Sequence, residues 1–386
     1  MAIYNFSPGP AKLDESVIQQ AQDAVGQYGQ TGMSILEISH RSDEFKEILE
    51  NTKANLRNLL DIPQDYFILF LQGGATYQNA LLQHNFRTVY GEDLHDRKSK
   101  IINFLVTGTW GKKSAYDFPF HGKYIHDLYS YLTHRNKDMG YTEVSHAVYY
   151  FLRKQTINTV SNYDYTHITS NETIEGLQIR DFNLFKKDNL IIDMSSDIGS
   201  YMYNWSNVHY VYAGAQKNMG IPGATICIGR NDLKFIPPKK RLSVPPSYLN
   251  LRELIDGDSV MNTPSTYSIF VLYLVTEWMI QKGGIEYFEN KSIENSNLFY
   301  NILQKSSLVD QLLPENIRSR SNVVFKFRDE NLESKFLDEA AKNNIIGIKG
   351  HRSVGGVRIS LYNAVTKEMV DYLSNFLDDF LRKNEK

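Results

Sequence analysis

Lys217 lies in the run Tyr212-Ala213-Gly214-Ala215-Gln216-Lys217-Asn218-Met219-Gly220-Ile221-Pro222-Gly223-Ala224, directly after a strand-like apolar stretch. An amine condenses with a carbonyl only when it is partly desolvated and so available in its neutral form, and glycines let a bound group approach the backbone closely. This context offers both, although a lysine taken alone is more often a solvated surface charge. Asp193 ends the apolar run Leu190-Ile191-Ile192, 24 positions upstream of Lys217. A carboxylate at the carboxyl end of a buried strand can pair with the protonated ring nitrogen of a cofactor that must withdraw electrons. It can equally cap the following Ser195-Ser196 segment. Both readings stay open on the sequence alone.

Gly73-Gly74-Ala75-Thr76 follows the apolar run Tyr66–Leu71 and precedes a helix-like stretch. Backbone N–H groups at such a strand-to-helix turn can cradle a phosphate. The signal is weak by itself, since neither a Walker loop nor a dinucleotide fingerprint is complete here. The 10 histidines form no His-x-x-x-His or Glu-x-x-His set with a supporting carboxylate, so no metal is expected. His121 and His126, the closest pair, read as ordinary surface residues. Cys227, the only cysteine, sits in Ala-Thr-Ile-Cys-Ile-Gly, which reads as a buried strand and not as a mobile nucleophile. A lone cysteine also excludes an intramolecular disulfide framework.

The elements that must position these groups are legible as periodicity. Short apolar runs at Tyr66–Leu71, Ile101–Val106, Leu190–Met194, Val208–Ala213 and Ala224–Gly229 alternate with longer amphipathic segments. That pattern predicts an α/β fold with a mostly parallel sheet flanked by helices. Pro264–Gly284 reads as one long helix, with Pro264 in its first turn and Gly283-Gly284 as its stop. Glu286–Leu303 follows as a helix, then strand-like runs at Val323–Phe327, Ile345–Ile348 and Val357–Leu361 and an amphipathic helix over Thr366–Leu381. These last elements describe a smaller α+β domain. The expected division is a large domain over 16–286 and a small C-terminal domain over 287–386, joined by an N-terminal segment 1–15. Ser7-Pro8-Gly9-Pro10 in that segment is an irregular loop that either packs on the small domain or is a simple entry turn. Pro237, Pro238, Pro245 and Pro246 make 235–248 an exposed crossing loop, neither helix nor central strand. The charged segment Val89–Lys100 reads as a surface loop.

Charge is almost balanced, with 42 Lys+Arg against 44 Asp+Glu, so no broad basic field invites nucleic acid or anionic membrane. The most apolar stretch, Ile269–Ile280, contains Thr276 and Glu277 and falls short of the ~18–20 apolar residues of a membrane span. The N-terminus has no basic region followed by an apolar one. A cytoplasmic enzyme of small substrates is expected.

Together with Ser39-His40-Arg41, Asn171-Glu172-Thr173, Asn262-Thr263-Pro264 and Lys349-Gly350-His351-Arg352, these pieces resemble, in order and spacing, the phosphoserine aminotransferase family of fold-type I pyridoxal-phosphate enzymes. The resemblance covers nearly the whole chain and is strongest at Tyr212–Gly220 and Lys349–Ala364. It implies a seven-stranded large-domain sheet, pyridoxal 5′-phosphate as cofactor, and Lys217 as the residue that holds it as a Schiff base and later carries the substrate Cα proton. Asp193 would hold the pyridine nitrogen, Trp110 stack on the ring, and Thr173 bond the phenolic oxygen. Ala75, Thr76 and Gln216 would cradle the phosphate, with Asn262 and Thr263 reaching it from the second subunit of a homodimer. Arg358 would anchor the α-carboxylate, and His40, Arg41, His351 and Arg352 would take the distal phosphate or γ-carboxylate. The implied substrates are L-glutamate, O-phospho-L-serine, 3-phosphohydroxypyruvate and 2-oxoglutarate, with phosphorylated hydroxythreonine accepted by some relatives. Several members carry Gly-Gly-Gly-Arg where this chain has Gly73-Gly74-Ala75-Thr76, so an arginine donor is missing at that point.

Overall fold

The computed structural model describes residues 3–86, 102–117, 123–127 (backbone), 165–185, 189–235, 245–310, 312–352 and 354–385. His121 and Val89–Lys100 lie outside these residues, as do 236–244 of the proline-rich segment. His126 is described only as strand backbone.

In chain order the main elements are β1 (Tyr4–Asn5), α1 (Glu15–Gly26), α2 (Asp43–Leu59), β2 (Tyr66–Leu71), α3 (Gly74–Asn85), β3 (Ile102–Val106), α4 (Thr109–Tyr116) and β4 (Lys123–Asp127). There follow β5 (Tyr165–Thr169), β6 (Asn171–Glu172), β7 (Leu177–Gln178), β8 (Leu190–Asp193), β9 (Val208–Gly214) and β10 (Thr225–Arg230). The rest comprises α5 (Leu251–Asp256), α6 (Thr266–Gln281), α7 (Gly284–Leu303), β11 (Asn322–Phe325), α8 (Glu330–Lys342), β12 (Ile345–Ile346), β13 (Val357–Ser360) and α9 (Lys367–Asn384).

Seven strands form one sheet in the order β2-β10-β9-β8-β5-β3-β4. β9-β8-β5-β3-β4 are parallel neighbours, and β10 alone is reversed, running antiparallel to both β2 and β9. β2, β3, β5 and β8 are buried along their whole length. Burial on both faces is why the sequence shows continuous apolar runs here and not alternation. Helix ends obey local chemistry. Ser42 caps α2 by accepting from the Phe45 N–H, Asp43 and Glu44 occupy its first turn, and Arg57 its last.

The sheet and helices α1, α2 and α6 enclose one large apolar cluster, in which α2 packs along α6. A second cluster draws Phe6, Phe299, Phe325, Phe336, Ile359 and Phe380 together from α7, α8, α9 and the β11–β13 pair. β1 joins this second cluster by pairing in parallel with β12. Each fully buried Leu, Ile or Phe adds about 1.5–3 kcal/mol, so these clusters hold the frame that the site needs.

The helix break expected at Gly283-Gly284 is present: α6 stops at Gln281, and Gly283, in the left-handed region at φ 109°, precedes α7, which begins at Gly284. Pro264 lies outside the first turn, because Ser265 is the capping position and its carbonyl accepts from Ile269 N–H. The proline-rich segment is also not wholly irregular, since Ser247–Leu249 makes a short 3-10 turn.

Candidate active site

The five strands that carry the candidate residues share one direction, and their carboxyl ends release the connecting segments on one edge of the sheet. In an open α/β sheet that edge is where ligands bind. β2 leads into Gly73–Thr76, β3 into Trp110, β5 into Thr173, β8 into Asp193 and β9 into Lys217.

Lys217 is half-buried, and its Nζ donates to Thr173 Oγ1 at 2.9 Å. The same nitrogen lies 5.4 Å from the centre of the Trp110 ring. Burial holds the ammonium below the ordinary lysine range. The Asp193 charge opposes that shift and the Arg358 charge adds to it. Gly9, in the left-handed region, packs on the lysine stem, where an added Cβ would come within 3.1 Å of Lys217 Cγ. Ala11 N–H donates to the Gln216 carbonyl, and Tyr362 Oη donates to the Pro8 carbonyl. The Ser7–Ala11 segment therefore joins the lysine loop to the C-terminal elements and is more than an entry turn.

Asp193 is buried, and its Oδ1 accepts from both the N–H and the hydroxyl of Ser195 at 2.9 and 2.6 Å. The capping role considered for this carboxylate is thus present, and it uses only one oxygen. Burial raises the Asp193 carboxyl, against the bonds from Ser195 and the charge of Lys217. A buried acid in that condition gains from a cationic partner.

At the candidate phosphate-cradle turn, Gly73 is left-handed at φ 89°, and no side chain caps α3. The Gly74 N–H donates to Thr225 Oγ1, which pins the turn to β10. Ala75 is half-buried and Thr76 exposed, so the first-turn amides face an open approach. Lys113 Nζ donates to Thr76 Oγ1 at 3.3 Å and brings a positive charge where an arginine is missing. Gln216 folds back over Gly214, where an added Cβ would sit 2.6 Å from its Oε1.

The arginines divide. Arg358 on β13 is buried, and its Nε is aimed inward without a hydrogen-bond partner. Burial lowers its guanidinium from the ordinary range. His351 and Arg352 lie on the turn that leads into β13, closed by Gly350 N–H to the Gly356 carbonyl. Arg352 is exposed. His40 and Arg41 precede α2, and Asn262 and Thr263 are exposed between α5 and α6. Gln72 Nε2 ties down the Thr263 carbonyl at 3.1 Å. Among the described residues no hydrogen bond, ion pair or ring contact joins these four to Lys217, Trp110 or Arg358.

The donor set fits pyridoxal phosphate: a half-buried amine held below the ordinary lysine range, an under-compensated buried acid, a nearby indole and a helix N-terminus with no side-chain cap. The Trp110 Nε1 has no partner among the described residues. Other chemistries find less support. Cys227 is buried in β10 with its thiol pushed up to about 12 by burial, which disfavours a nucleophilic thiolate. Among the described residues no group of three His, Cys, Asp or Glu could hold a metal, and no helix is long and apolar enough to cross a membrane.

The aminotransferase class-V family model matches residues 3–107 and 150–373. The chain belongs to the class-V aminotransferases. Within that family it is 36% identical to the phosphoserine aminotransferase of Janthinobacterium sp. (strain Marseille) over 381 residues, which cover 99% of each chain. The phosphoserine aminotransferase of Bacillus cereus (strain ATCC 10987 / NRS 248) is equally similar, 36% over 382 residues with 99% of each covered. Among solved structures, that of the phosphoserine aminotransferase from Bacillus circulans subsp. alkalophilus superposes with a TM-score of 0.85 at 33% identity, covering 100% of this chain and 99% of that one. A phosphoserine aminotransferase from Trichomonas vaginalis, solved with pyridoxal phosphate bound, gives 0.83 at 29% identity over 97% and 99% of the two chains. This class-V aminotransferase is accordingly a pyridoxal-phosphate-dependent enzyme.

Sequence reasoning missed several participants. Ser195 and Lys113 carry no motif of their own. Glu172 and Glu175 flank Thr173 as two ordinary acidic residues in sequence. Both carboxylates reach the start of α4, more than 60 positions earlier in the chain, and nothing in a linear pattern announces such a contact.

Proposed function

We propose that the chain catalyses reversible transfer of an amino group between L-glutamate and 3-phosphohydroxypyruvate, giving O-phospho-L-serine and 2-oxoglutarate. The observation that carries the reading is the placement of Lys217 Nζ, 2.9 Å from Thr173 Oγ1 and 5.4 Å from the Trp110 ring, at the end of a strand parallel to the one that presents Asp193. Full-length similarity to phosphoserine aminotransferases supports the choice of substrates. Pyridoxal phosphate, when bound, supplies the electron sink that lets an amino acid's Cα–H ionise.

Each residue then has a physical task. Lys217, kept readily neutral by burial, binds the cofactor and afterwards accepts and returns the Cα proton at Nζ. Asp193 offers its second oxygen to the pyridine nitrogen, and Thr173 its hydroxyl to the phenolic oxygen. Trp110 covers one ring face. Ala75, Thr76 and Gln216 hold the phosphate with backbone and side-chain donors. Arg358, buried and short of an acceptor at Nε, takes the α-carboxylate. A planar fork suits that group better than a point charge. His40, Arg41, His351 and Arg352 take the distal anion, which glutamate and phosphoserine both carry.

Exposed Asn262, Thr263 and Arg41 and half-buried His40, without contacts to this chain's own Lys217 among the described residues, support a homodimer in which they complete the neighbouring site. The reading includes a cytoplasmic location, 4-phosphohydroxy-L-threonine as a second product, and a division into a large domain 16–286 and a small one 287–386. The second apolar cluster, which recruits Phe6 and residues beyond 299, supports that division. Phe288, Leu313, Ile317 and Ala364, on the first cluster, knit the two together. Initial rates with varied glutamate and 3-phosphohydroxypyruvate test the proposal. Parallel double-reciprocal lines are expected, because one product leaves before the second substrate enters; intersecting lines contradict it.

A further inference from the structure

Helix α4 carries Trp110, yet its capping position is Gly108, which has no side chain to accept the first amides. Two carboxylates from the β6–β7 turn do this instead. Glu175 Oε1 accepts from the Thr109 N–H and hydroxyl at 2.9 and 2.5 Å. Glu172 accepts from Trp110 N–H at Oε2, 3.0 Å, and from Gly111 N–H at Oε1, 2.9 Å. Three consecutive backbone donors are satisfied from a segment 61 to 66 positions away. The glycines make room for this. A Cβ on Gly108 would come within 2.5 Å of Glu175 Oε2, and one on Gly111 within 2.9 Å of Glu172 Oε1.

The turn that holds α4 also holds the lysine, because Thr173, between the two glutamates, accepts from Lys217 Nζ. Its outer side is fastened to the C-terminal elements: Ser319 N–H donates to the Gly176 carbonyl, Gln178 N–H to the Ile317 carbonyl, and Asn171 Nδ2 to Asn322 Oδ1. β11, which starts at Asn322, pairs with β13, the strand of Arg358.

We propose that Glu172 and Glu175 are positioning residues for Trp110, clamping the first turn of α4 so that the indole keeps its register with Lys217. The inference rests on Trp110 being the residue that covers the cofactor ring. Glu172 is fully buried, and burial together with the Glu175 charge raises its carboxyl well above the ordinary range. Burying the Glu172 carboxyl beside half-buried Glu175 is costly, and what it provides in return is the geometry of the α4 first turn.

The test is a double-mutant cycle on pyridoxal phosphate affinity, read by equilibrium titration of the apoprotein, with thermal midpoints recorded alongside. Glu175→Ala is expected to weaken binding about tenfold, the effect of losing a helix cap. Glu175→Gln, which keeps Oε1 as an acceptor, should remain within about twofold of the parent. In a Trp110→Ala background, Glu175→Ala should add nothing. Equal loss from Glu175→Ala in both backgrounds overturns the inference while leaving Trp110's role intact. Trp110→Ala with unchanged affinity overturns that role and the inference with it. Glu172→Gln, which retains one of two acceptor oxygens, should fall between the two Glu175 variants; affinity at the parent level counts against the clamp.

Discussion

The lysine centre and the arginine region differ in how much of each is already held by protein. Around Lys217, Thr173, Ser195, Glu172 and the Gly9 segment fix the reactive groups through bonds that exist without any ligand. Of the three candidate arginines Arg358 is buried, while Arg41 and Arg352 are exposed and their guanidinium groups make no hydrogen bond or ion pair among the described residues. One region is organised before binding. The other, on the proposed reading, would spend side-chain freedom on binding an anion. An exchange reaction has reason to divide its site this way, since the same chemistry must serve two different distal groups.

The sharpest break in that comparison is Lys217→Ala. Loss of the amine should lower turnover about 10⁴-fold, the upper range for a positioned proton-transfer group, in an assay of phosphoserine formation. Next comes Arg358→Ala, expected to cost about 10²-fold in kcat/KM for every amino donor, because the donor's α-carboxylate loses its buried cationic partner. Arg41→Ala and Arg352→Ala should be milder, about tenfold, and confined to donors with a distal anion, such as glutamate and phosphoserine against alanine. Equal losses for all donors would erase the distinction between the two regions.

The smallest effect concerns charge alone. Asp193 holds the Lys217 ammonium up and Arg358 holds it down. Asp193→Asn should therefore move the pH midpoint of Lys217 reactivity in the apoprotein further down, and Arg358→Ala should move it up. Reductive methylation followed by mass spectrometry across pH reads this directly, and shifts in the opposite sense contradict the electrostatic account.

The sequence made the strand ends legible because buried parallel strands leave continuous apolar runs with a polar residue at the exit, as at Leu190–Asp193. β5 was not legible, because Tyr-Thr-His-Ile-Thr mixes polar groups that the fold buries, His167 bonding Tyr212 Oη at 2.9 Å. The reversal of β10 was hidden too, since strand direction leaves no mark on an apolar run. The break at Gly283-Gly284 was legible, since two glycines in succession punctuate two otherwise helical runs. In the site, Lys217 and Asp193 stood out through local context, whereas the hold on Trp110 depends on carboxylates distant in sequence.

The most direct test of the central claim is the visible absorption spectrum of the purified protein with pyridoxal phosphate, before and after glutamate and, separately, phosphoserine. The account predicts a yellow band that depends on Lys217 and bleaches with either donor. A protein that acquires no band on incubation with the cofactor, or whose band neither donor changes, would contradict it.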